Sequence, residues 1–201
     1  MKLNIFVDTS YFIYLLLFSS YSLWKEKTHN EINDPCFDIT LDNFFIDIFE
    51  EKLIDKISFI TNNIFEKYNV LDKDQILIFA LDCSHKSNWR ISLFPEYKFQ
   101  RKIDITKKPF DIKKAFNYVI SNVINSQRFC NSFNIIKVKT KVAEGDDIIA
   151  TLVEYLKNDK NIIISCDYDF LQLKSDGVDI LNLFGDELNF KTFCKSDQIT
   201  N

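Results

Sequence analysis

Short apolar runs that alternate with longer amphipathic stretches are the feature of this 201-residue chain that most restricts its fold. Runs of branched side chains predict buried β-strands, whereas apolar residues three and four positions apart predict helices. Strands are predicted at Leu3–Val7, Ile76–Leu81, Ile135–Val138, Asn161–Ser165 and near Asp179–Leu183. Because helical stretches separate the strands, the pattern predicts an α/β layer fold with a mostly parallel central sheet.

The predicted helices all lie between these strands, and the last of them is short. The first starts after a capping Thr9 or Ser10 and runs to about Trp24. The others cover Leu41–Tyr68 (as one helix or two), Ser87–Phe99, Ile112–Cys130, Glu144–Leu156 and Phe170–Leu173. The polar segment Lys25–Thr40 predicts a loop. With 46% apolar residues the chain can bury a core, and its length predicts a single domain over residues 1–201.

Cysteine and hydropathy patterns argue against several classes of protein. The five cysteines are Cys36, Cys83, Cys130, Cys166 and Cys194. They form no Cys-x-x-Cys pair, which argues against a zinc site or a disulfide framework and favours a reducing compartment. The apolar start is interrupted by Asp8, and no stretch reaches the roughly 18 apolar residues of a membrane span. We therefore expect an intracellular protein of the cytoplasm or nucleus, with no membrane partner.

Acidic residues follow the ends of four predicted strands. They are Asp8, then Asp82, then Glu144, Asp146 and Asp147, and finally Asp167 and Asp169. Ligands of open parallel sheets bind outside the carboxyl ends of the strands, so these seven carboxylates are expected at one edge. A hard cation relieves their repulsion, and oxygen-only ligation indicates Mg²⁺, Mn²⁺ or Ca²⁺ rather than zinc. Two ions roughly 4 Å apart could activate a water and stabilise the leaving oxygen of a phosphodiester.

Each of these acids also has an ordinary structural explanation. The three acids from Glu144 to Asp147 could simply favour a helix N-terminus. Asp8 and Asp82 could be residues that open loops, and the pair after the fourth strand could form a turn. The occurrence of acids at four successive strand ends favours the metal site.

A basic segment follows the second acid. Residues Lys86–Lys114 carry a net charge of +6, whereas the rest of the chain carries −10. Its cations could neutralise phosphates, and its aromatic rings could stack on an unpaired base. The residues concerned are Lys86, Arg90 and Arg101, with Trp89, Phe94 and Tyr97 between them. A solvated basic helix with a buried apolar stripe is the alternative, but a neighbouring acidic metal site favours a polyanionic substrate.

Together these motifs resemble the flap-endonuclease and phage-type 5′→3′ exonuclease superfamily, whose nuclease core is PIN-like. The matching segments follow the family's order and are Phe6-Val7-Asp8, Leu81-Asp82, Lys86 to Arg101, Ala143 to Ala150 and Cys166 to Leu173. The resemblance implies a three-layer PIN-like, or resolvase-like, α/β fold with a basic helical arch at about residues 86–114. The opening Val7–Phe12 and the long insertion before Ile76 look more like the versions carried by large DNA viruses, which would place the protein in a viral factory.

The resemblance also implies the role of each residue. Asp8, Asp82, Glu144 and Asp146 would hold a first Mg²⁺ or Mn²⁺ ion, and Asp147, Asp167 and Asp169 would hold or orient a second. Lys86 and Arg90, at the base of the arch, would contact the scissile phosphate and act with Asp146 in catalysis. Gln100–Asp111 would form the arch or its top. The remaining nucleic-acid contacts would be Trp89, Tyr97, Lys98, Arg101 and Lys102.

The implied function is a metal-dependent 5′ nuclease that acts on DNA flaps, 5′ ends or junctions in replication, repair or recombination. A PIN-like ribonuclease that acts on RNA and a non-catalytic nucleic-acid-binding subunit are the alternatives. Family members normally continue into a Gly-rich helix–hairpin–helix element, but only Gly177 and Gly185 follow the acid motifs here. We therefore expect that element to be absent, to be supplied by a partner chain, or to belong to a longer protein of which this is a fragment.

Overall fold

The computed structural model describes residues 2–70, 74–98 and 108–189. The predicted contacts at Arg101 and Lys102, and most of the predicted top of the arch, lie outside the described residues. The chain divides into two compact units, of which the first comprises residues 1–12, 57–88 and 134–201, and the second comprises residues 13–56 and 89–133. The single domain predicted over residues 1–201 stays a prediction.

The first unit contains a five-stranded sheet in which all neighbouring strands are parallel. The strands are β1 (Leu3–Asp8), β2 (Gln75–Leu81), β3 (Ile135–Lys139), β4 (Lys160–Ile164) and β5 (Val178–Leu181). Their order across the sheet is β3-β2-β1-β4-β5. This confirms the predicted α/β class and the five predicted strands. In such a sheet every carboxyl end lies at the same edge.

Helices and short helical turns connect the strands. Among the described residues, the α-helices are α1 (Thr9–Thr28), α2 (Asn43–Tyr68), α3 (Trp89–Leu93), α4 (Ile112–Tyr118), α5 (Gln127–Ser132) and α6 (Gly145–Tyr155). Short 3-10 helices lie at Ile39–Leu41, His85–Ser87 and Tyr168–Leu173, and one π-helical segment lies at Val119–Val123. The stretch Leu41–Tyr68, predicted as one helix or two, is thus one continuous α-helix from Asn43 to Tyr68. Among the described residues, no helix combines the length and the apolar character needed to cross a membrane.

The sheet buries apolar side chains on both faces, as the apolar runs in its central strands predict. On one face, α6 packs against a cluster that includes Phe6, Ile78 and Ile163, each at most 5% exposed. On the other face, the ring of Phe12 meets Phe79 edge to face, with centroids 6.4 Å apart. Each such buried side chain contributes roughly 1.5–3 kcal/mol. This packing fixes the strands whose ends carry the predicted acids.

The predicted helix Ser87–Phe99 is wrong in extent. Within the described residues 87–98, only Trp89–Leu93 is α-helical, and a turn follows through Lys98. Pro95 explains the early end, because proline lacks a backbone N–H and disfavours helical geometry in the residue before it.

The predicted helix Ile112–Cys130 is interrupted rather than continuous. It consists of α4, the π-helical segment and α5. The Asn125 side chain donates to the carbonyls of Ile120 and Ser121, both at 3.0 Å, and Ser126 caps α5 by accepting from the Phe129 N–H at 3.2 Å. Asn and Ser side chains that bond to nearby backbone compete with helix continuation.

A group of charged side chains lies beside the edge strand β5. The Asp179 carboxylate accepts from the Tyr68 hydroxyl and from Lys160 Nζ, the latter at 2.9 Å. Burial alone would raise the pKa of Asp179, but the bonds from Tyr68 and Lys160 outweigh it and hold that pKa below its ordinary value of 3.8. The ionised form of Asp179 therefore stabilises the fold, and this stabilisation is lost as the pH falls through the lowered pKa.

Asp179→Asn is accordingly expected to lower the free energy of unfolding by roughly 1–3 kcal/mol at pH 7, since it weakens hydrogen bonds to a charged group. The difference from wild type should shrink as the pH falls below about 4. Urea unfolding at both pH values measures it, with the exposed Asp176→Asn as control. A deficit that is the same at both pH values would contradict the assigned role of the charge.

Candidate metal centre at the carboxyl edge of the sheet

The ends of β1 and β4 are joined by one buried hydroxyl. Asp8 Oδ2 accepts from Ser165 Oγ at 2.9 Å, and the same Ser165 oxygen accepts from the Asp167 N–H at 3.0 Å. The other Asp8 oxygen accepts from the Tyr11 N–H at 3.2 Å, so that Asp8 also caps α1. Ser165 has no exposed surface. It therefore links the carboxylate of Asp8 to the backbone of Asp167, two of the predicted metal ligands.

Asp82, after β2, is held by two donors from other elements. Its Oδ2 accepts from Ser10 Oγ at 2.5 Å, and its Oδ1 accepts from the Gly145 N–H at 2.6 Å. Gly145 is the first residue of α6, so the bond satisfies an N–H that has no partner within the helix. The residue predicted as a possible α1 cap, Ser10, thus contacts a carboxylate instead. These bonds bring the end of β2 against the starts of α1 and α6.

The remaining predicted ligands shape the starts of two helical segments. Asp147 Oδ2 accepts from the Glu144 N–H at 3.1 Å, and Asp146 Oδ1 accepts from the Asp147 N–H at 2.8 Å. Asp167 Oδ1 accepts from the Asp169 N–H at 2.9 Å. The structural explanation of these acids as capping and turn residues is therefore correct, and it leaves Asp146, Asp167 and Asp169 exposed to solvent.

Electrostatic interactions show that acids from different strands share one region. Burial raises the pKa of Asp8, and the negative charges of Asp82 and Asp167 raise it further, against the bonds from Ser165 and Tyr11.

A second group of the acids lies near the thiol of Cys83 and influences its pKa. Burial raises its pKa, and the charges of Glu144, Asp82 and Asp147 add to the effect. Five of the seven predicted ligands therefore belong to this region. They are Asp8 itself and the four acids whose charges raise the pKa of Asp8 or Cys83, namely Asp82, Glu144, Asp147 and Asp167. The other two, Asp146 and Asp169, are sequence neighbours of members of this group.

The residues suit a hard divalent cation in their chemistry. Their donors are carboxylate oxygens, which Mg²⁺ and Mn²⁺ prefer, and a cation would offset the repulsion that raises the pKa of Asp8. In the part of the chain that the structure describes, no three His, Cys, Asp or Glu side chains are gathered closely enough to enclose an ion. Asp8 and Asp82 each accept hydrogen bonds from protein donors at both carboxylate oxygens.

The predicted nucleic-acid contacts lie in both units. Lys86, in the first unit, is exposed within the 3-10 turn His85–Ser87. In the second unit the Arg90 guanidinium lies 4.7 Å from the centroid of the Trp89 ring and 5.7 Å from that of Tyr97. Lys98 Nζ lies 5.0 Å from the Tyr97 centroid. The predicted interleaving of cations and rings in Trp89–Lys98 is thus present as cation–π contacts, and the nucleic-acid role stays a prediction.

Sequence reasoning missed Ser165 and Gly145, and it assigned Ser10 a different role. One signal for Ser165 was available, since it is a polar residue at the end of an otherwise apolar strand and two positions before an acid. The contact of Ser10 with Asp82 joins residues 72 positions apart and left no local signal.

Asp8→Asn is expected to raise the melting temperature in chelator at neutral pH. The raised pKa means that ionised Asp8 destabilises the metal-free fold, a penalty that is present above the raised pKa and absent below the ordinary value of 3.8. Asparagine has the same shape without the charge. Thermal unfolding at pH 7.5 and near pH 4 measures the effect, which should be largest at the higher pH. A lower melting temperature than wild type at neutral pH would contradict it.

Comparison with known proteins agrees with this fold. Residues 49–200 match the family model described as the 5′-3′ exonuclease, N-terminal resolvase-like domain. A structure of the bacteriophage T5 5′-exonuclease with zinc ions has a TM-score of 0.56 at 17% identity. The match covers 96% of this chain and 60% of the T5 chain. A complex of the T5 D15 flap endonuclease with DNA and metal ions has a TM-score of 0.56 at 16% identity, covering 97% and 60%.

The T5 D15 protein co-crystallised with metal ions is also similar, with a TM-score of 0.55 at 18% identity over 96% of this chain. The chain thus spans about three fifths of the length of these structures, and at such identities the likeness shows the fold alone. No curated protein matches the chain. The family match covers most of the chain, and the five-stranded parallel sheet agrees with it. The chain therefore belongs to the family of 5′-3′ exonuclease N-terminal resolvase-like domains.

Proposed function

We propose that this chain hydrolyses phosphodiester bonds of DNA at 5′ ends or flaps and requires Mg²⁺ or Mn²⁺. The observation that carries the proposal is the convergence of carboxylates from four strand ends on two common neighbours, Asp8 and Cys83. Membership of a 5′-3′ exonuclease domain family supports the reaction class. Roles in replication, repair or recombination follow from the same proposal.

The acids are proposed to hold two ions. The first would be held by Asp8, Asp82, Glu144 and Asp146, and the second by Asp147, Asp167 and Asp169. A divalent ion supplies a hydroxide at neutral pH and stabilises charge on the leaving oxygen. The protein's own contribution is orientation, because Ser10, Ser165 and Gly145 fix carboxylates that would otherwise rotate.

The basic residues are proposed to bind the substrate. Lys86 and Arg90 would neutralise phosphates, and Lys98, Arg101 and Lys102 would extend the contact. Trp89 and Tyr97 offer rings on which unpaired bases stack. Their cation–π contacts with Arg90 suit this role, since they hold the rings and a guanidinium together.

A cleavage panel tests the proposal. The purified chain is incubated with a flap DNA labelled at its 5′ end and with a matched single-stranded RNA, each in Mg²⁺, in Mn²⁺ and in chelator. We expect short labelled products from the flap DNA in either metal and none in chelator. A strong preference for the RNA would contradict the proposed DNA substrate and favour the alternative, a ribonuclease that acts on RNA. No product from either substrate, with folding verified by circular dichroism, would count against hydrolysis by this chain alone.

A further inference from the structure

A second basic surface lies on the edge strand β3, outside the predicted basic segment. Lys137, Lys139 and Lys141 occupy alternate positions and are all exposed. Residues two apart in a strand lie on the same face at a spacing of about 6.6 Å. Lys137 and Lys139 therefore present two positive charges in a row on β3, and Lys141 follows just beyond its end. This spacing is comparable to that of successive phosphates along one nucleic-acid backbone.

The strand register shows which face carries these lysines. Lys137 pairs with Phe79 and Lys139 with Leu81, whereas Val138 pairs with Ala80. Ala80 and Val138 belong to the cluster that packs against α6. Lys137 and Lys139 hence lie on the sheet face opposite to α6. Because β3 is the outermost strand of the sheet, these side chains border its edge.

The row of lysines leads to the acidic edge. Lys139 pairs with Leu81, the residue before Asp82. Lys141 precedes Glu144 by three residues, a distance of at most about 10 Å along the chain. The connection is held beside the end of β2, because the Cys83 N–H donates to the Ala143 carbonyl at 3.1 Å. The Ala143 N–H in turn donates to Thr140 Oγ1 at 2.9 Å.

The sequence around these lysines is unusually free of negative charge. The chain contains 29 Asp and Glu residues, yet none lies between positions 112 and 143. Lysines on an edge strand also prevent association with other sheets. That explanation does not cover Lys141, which lies beyond the strand where no backbone ladder needs protection.

We propose that Lys137, Lys139 and Lys141 bind the phosphodiester backbone of a nucleic-acid strand and direct it to the carboxylates. The proposal rests on the proposed function, and it adds a binding surface separate from Lys86–Lys114. Contacts of this kind read charge rather than base sequence, so binding is strongly dependent on salt. The surface alone offers the same chemistry to DNA and to RNA.

The test measures binding without cleavage. Fluorescence anisotropy in chelator follows a short labelled DNA duplex, and a matched RNA duplex distinguishes the two sources of phosphate. The variant replaces all three lysines with glutamine. The control variant replaces the exposed Lys25, Lys27 and Lys157 with glutamine, so that both proteins lose the same charge. We expect the β3 variant to bind about tenfold or more weakly near 0.1 M salt, with the salt slope reduced by about 2–3. The control should bind like wild type.

Equal affinities of the two variants would overturn the proposal. So would self-association of the β3 variant on gel filtration with unchanged binding, since the lysines would then only protect the edge. If the triple variant fails to fold, Lys141→Glu alone, outside the strand, is judged by the same criterion. The binding assay contains no metal, so its result does not depend on cleavage. If the lysines bind DNA but the chain cuts no DNA in the cleavage panel, the proposed hydrolysis is refuted and the proposed binding surface is not.

Discussion

Asp82→Asn is expected to reduce metal-dependent cleavage by at least about a hundredfold, the usual loss when one electrostatic group of an active site is removed. Asparagine can keep both local contacts, because its oxygen can accept from the Gly145 N–H and its amide can donate to Ser10 Oγ. The substitution therefore removes one negative charge from the acidic edge with little change in shape. Single-turnover cleavage of flap DNA in Mg²⁺ measures the loss, and circular dichroism verifies the fold.

Asp176→Asn is the matched control for this experiment. Asp176 is exposed and precedes β5, so it lies at the opposite, amino edge of the sheet. Its replacement removes the same charge and should leave the cleavage rate within about twofold of wild type, as expected for a surface site. Full activity of Asp82→Asn would show that the edge is not where the reaction takes place.

Gly145→Ala is expected to damage both the fold and the site. A Cβ at this position would lie 3.0 Å from the Ala80 carbonyl oxygen and 3.2 Å from Asp82 Oδ1. The first atom is backbone of the buried strand β2 and cannot easily move. The second belongs to a predicted metal ligand. We expect a loss of about 1–3 kcal/mol in the free energy of unfolding, as for other overpacked positions. Cleavage should fall even where the protein stays folded, because Asp82 must shift.

Gly177→Ala separates this crowding from the general effect of adding a methyl group. A Cβ at Gly177 would make ordinary contacts, at 3.7 Å from the Lys157 carbonyl oxygen and 3.8 Å from that of Asp159. Its backbone needs no positive φ. This variant should be as stable as wild type, or more stable by up to about 1 kcal/mol. Urea unfolding of the two variants compares them directly. Equal stabilities would contradict the close approach of α6 to β2.

The sheet and its acidic edge could be predicted because their signals are local. β1, β2 and β4 are mostly apolar, and burial on both faces favours such strands. An acid within a few residues of the end of each run then lies at the carboxyl edge in any parallel arrangement. The positions of Asp8, Asp82 and Asp167 follow from these two facts.

The partners of the acids could not be predicted because they depend on which strands are neighbours. Ser165 reaches Asp8 across 157 positions only because β4 pairs with β1 rather than with β3. The predicted extents of the helices Ser87–Phe99 and Ile112–Cys130 were wrong for a different reason. Pro95 and the side chain of Asn125 interrupt stretches whose apolar spacing is helical, so a local effect outweighs the periodic pattern.

The central claim is that the carboxylates at the strand ends act together to bind divalent cations. Its most direct test is calorimetric titration of Mn²⁺ into the folded, metal-free protein. We expect saturable binding by wild type and by Asp176→Asn, and binding weakened at least about tenfold in Asp82→Asn. The absence of a binding heat at several temperatures, confirmed by an unchanged melting temperature in Mn²⁺, would contradict the claim. It would favour a nucleic-acid-binding subunit that keeps the fold without the reaction.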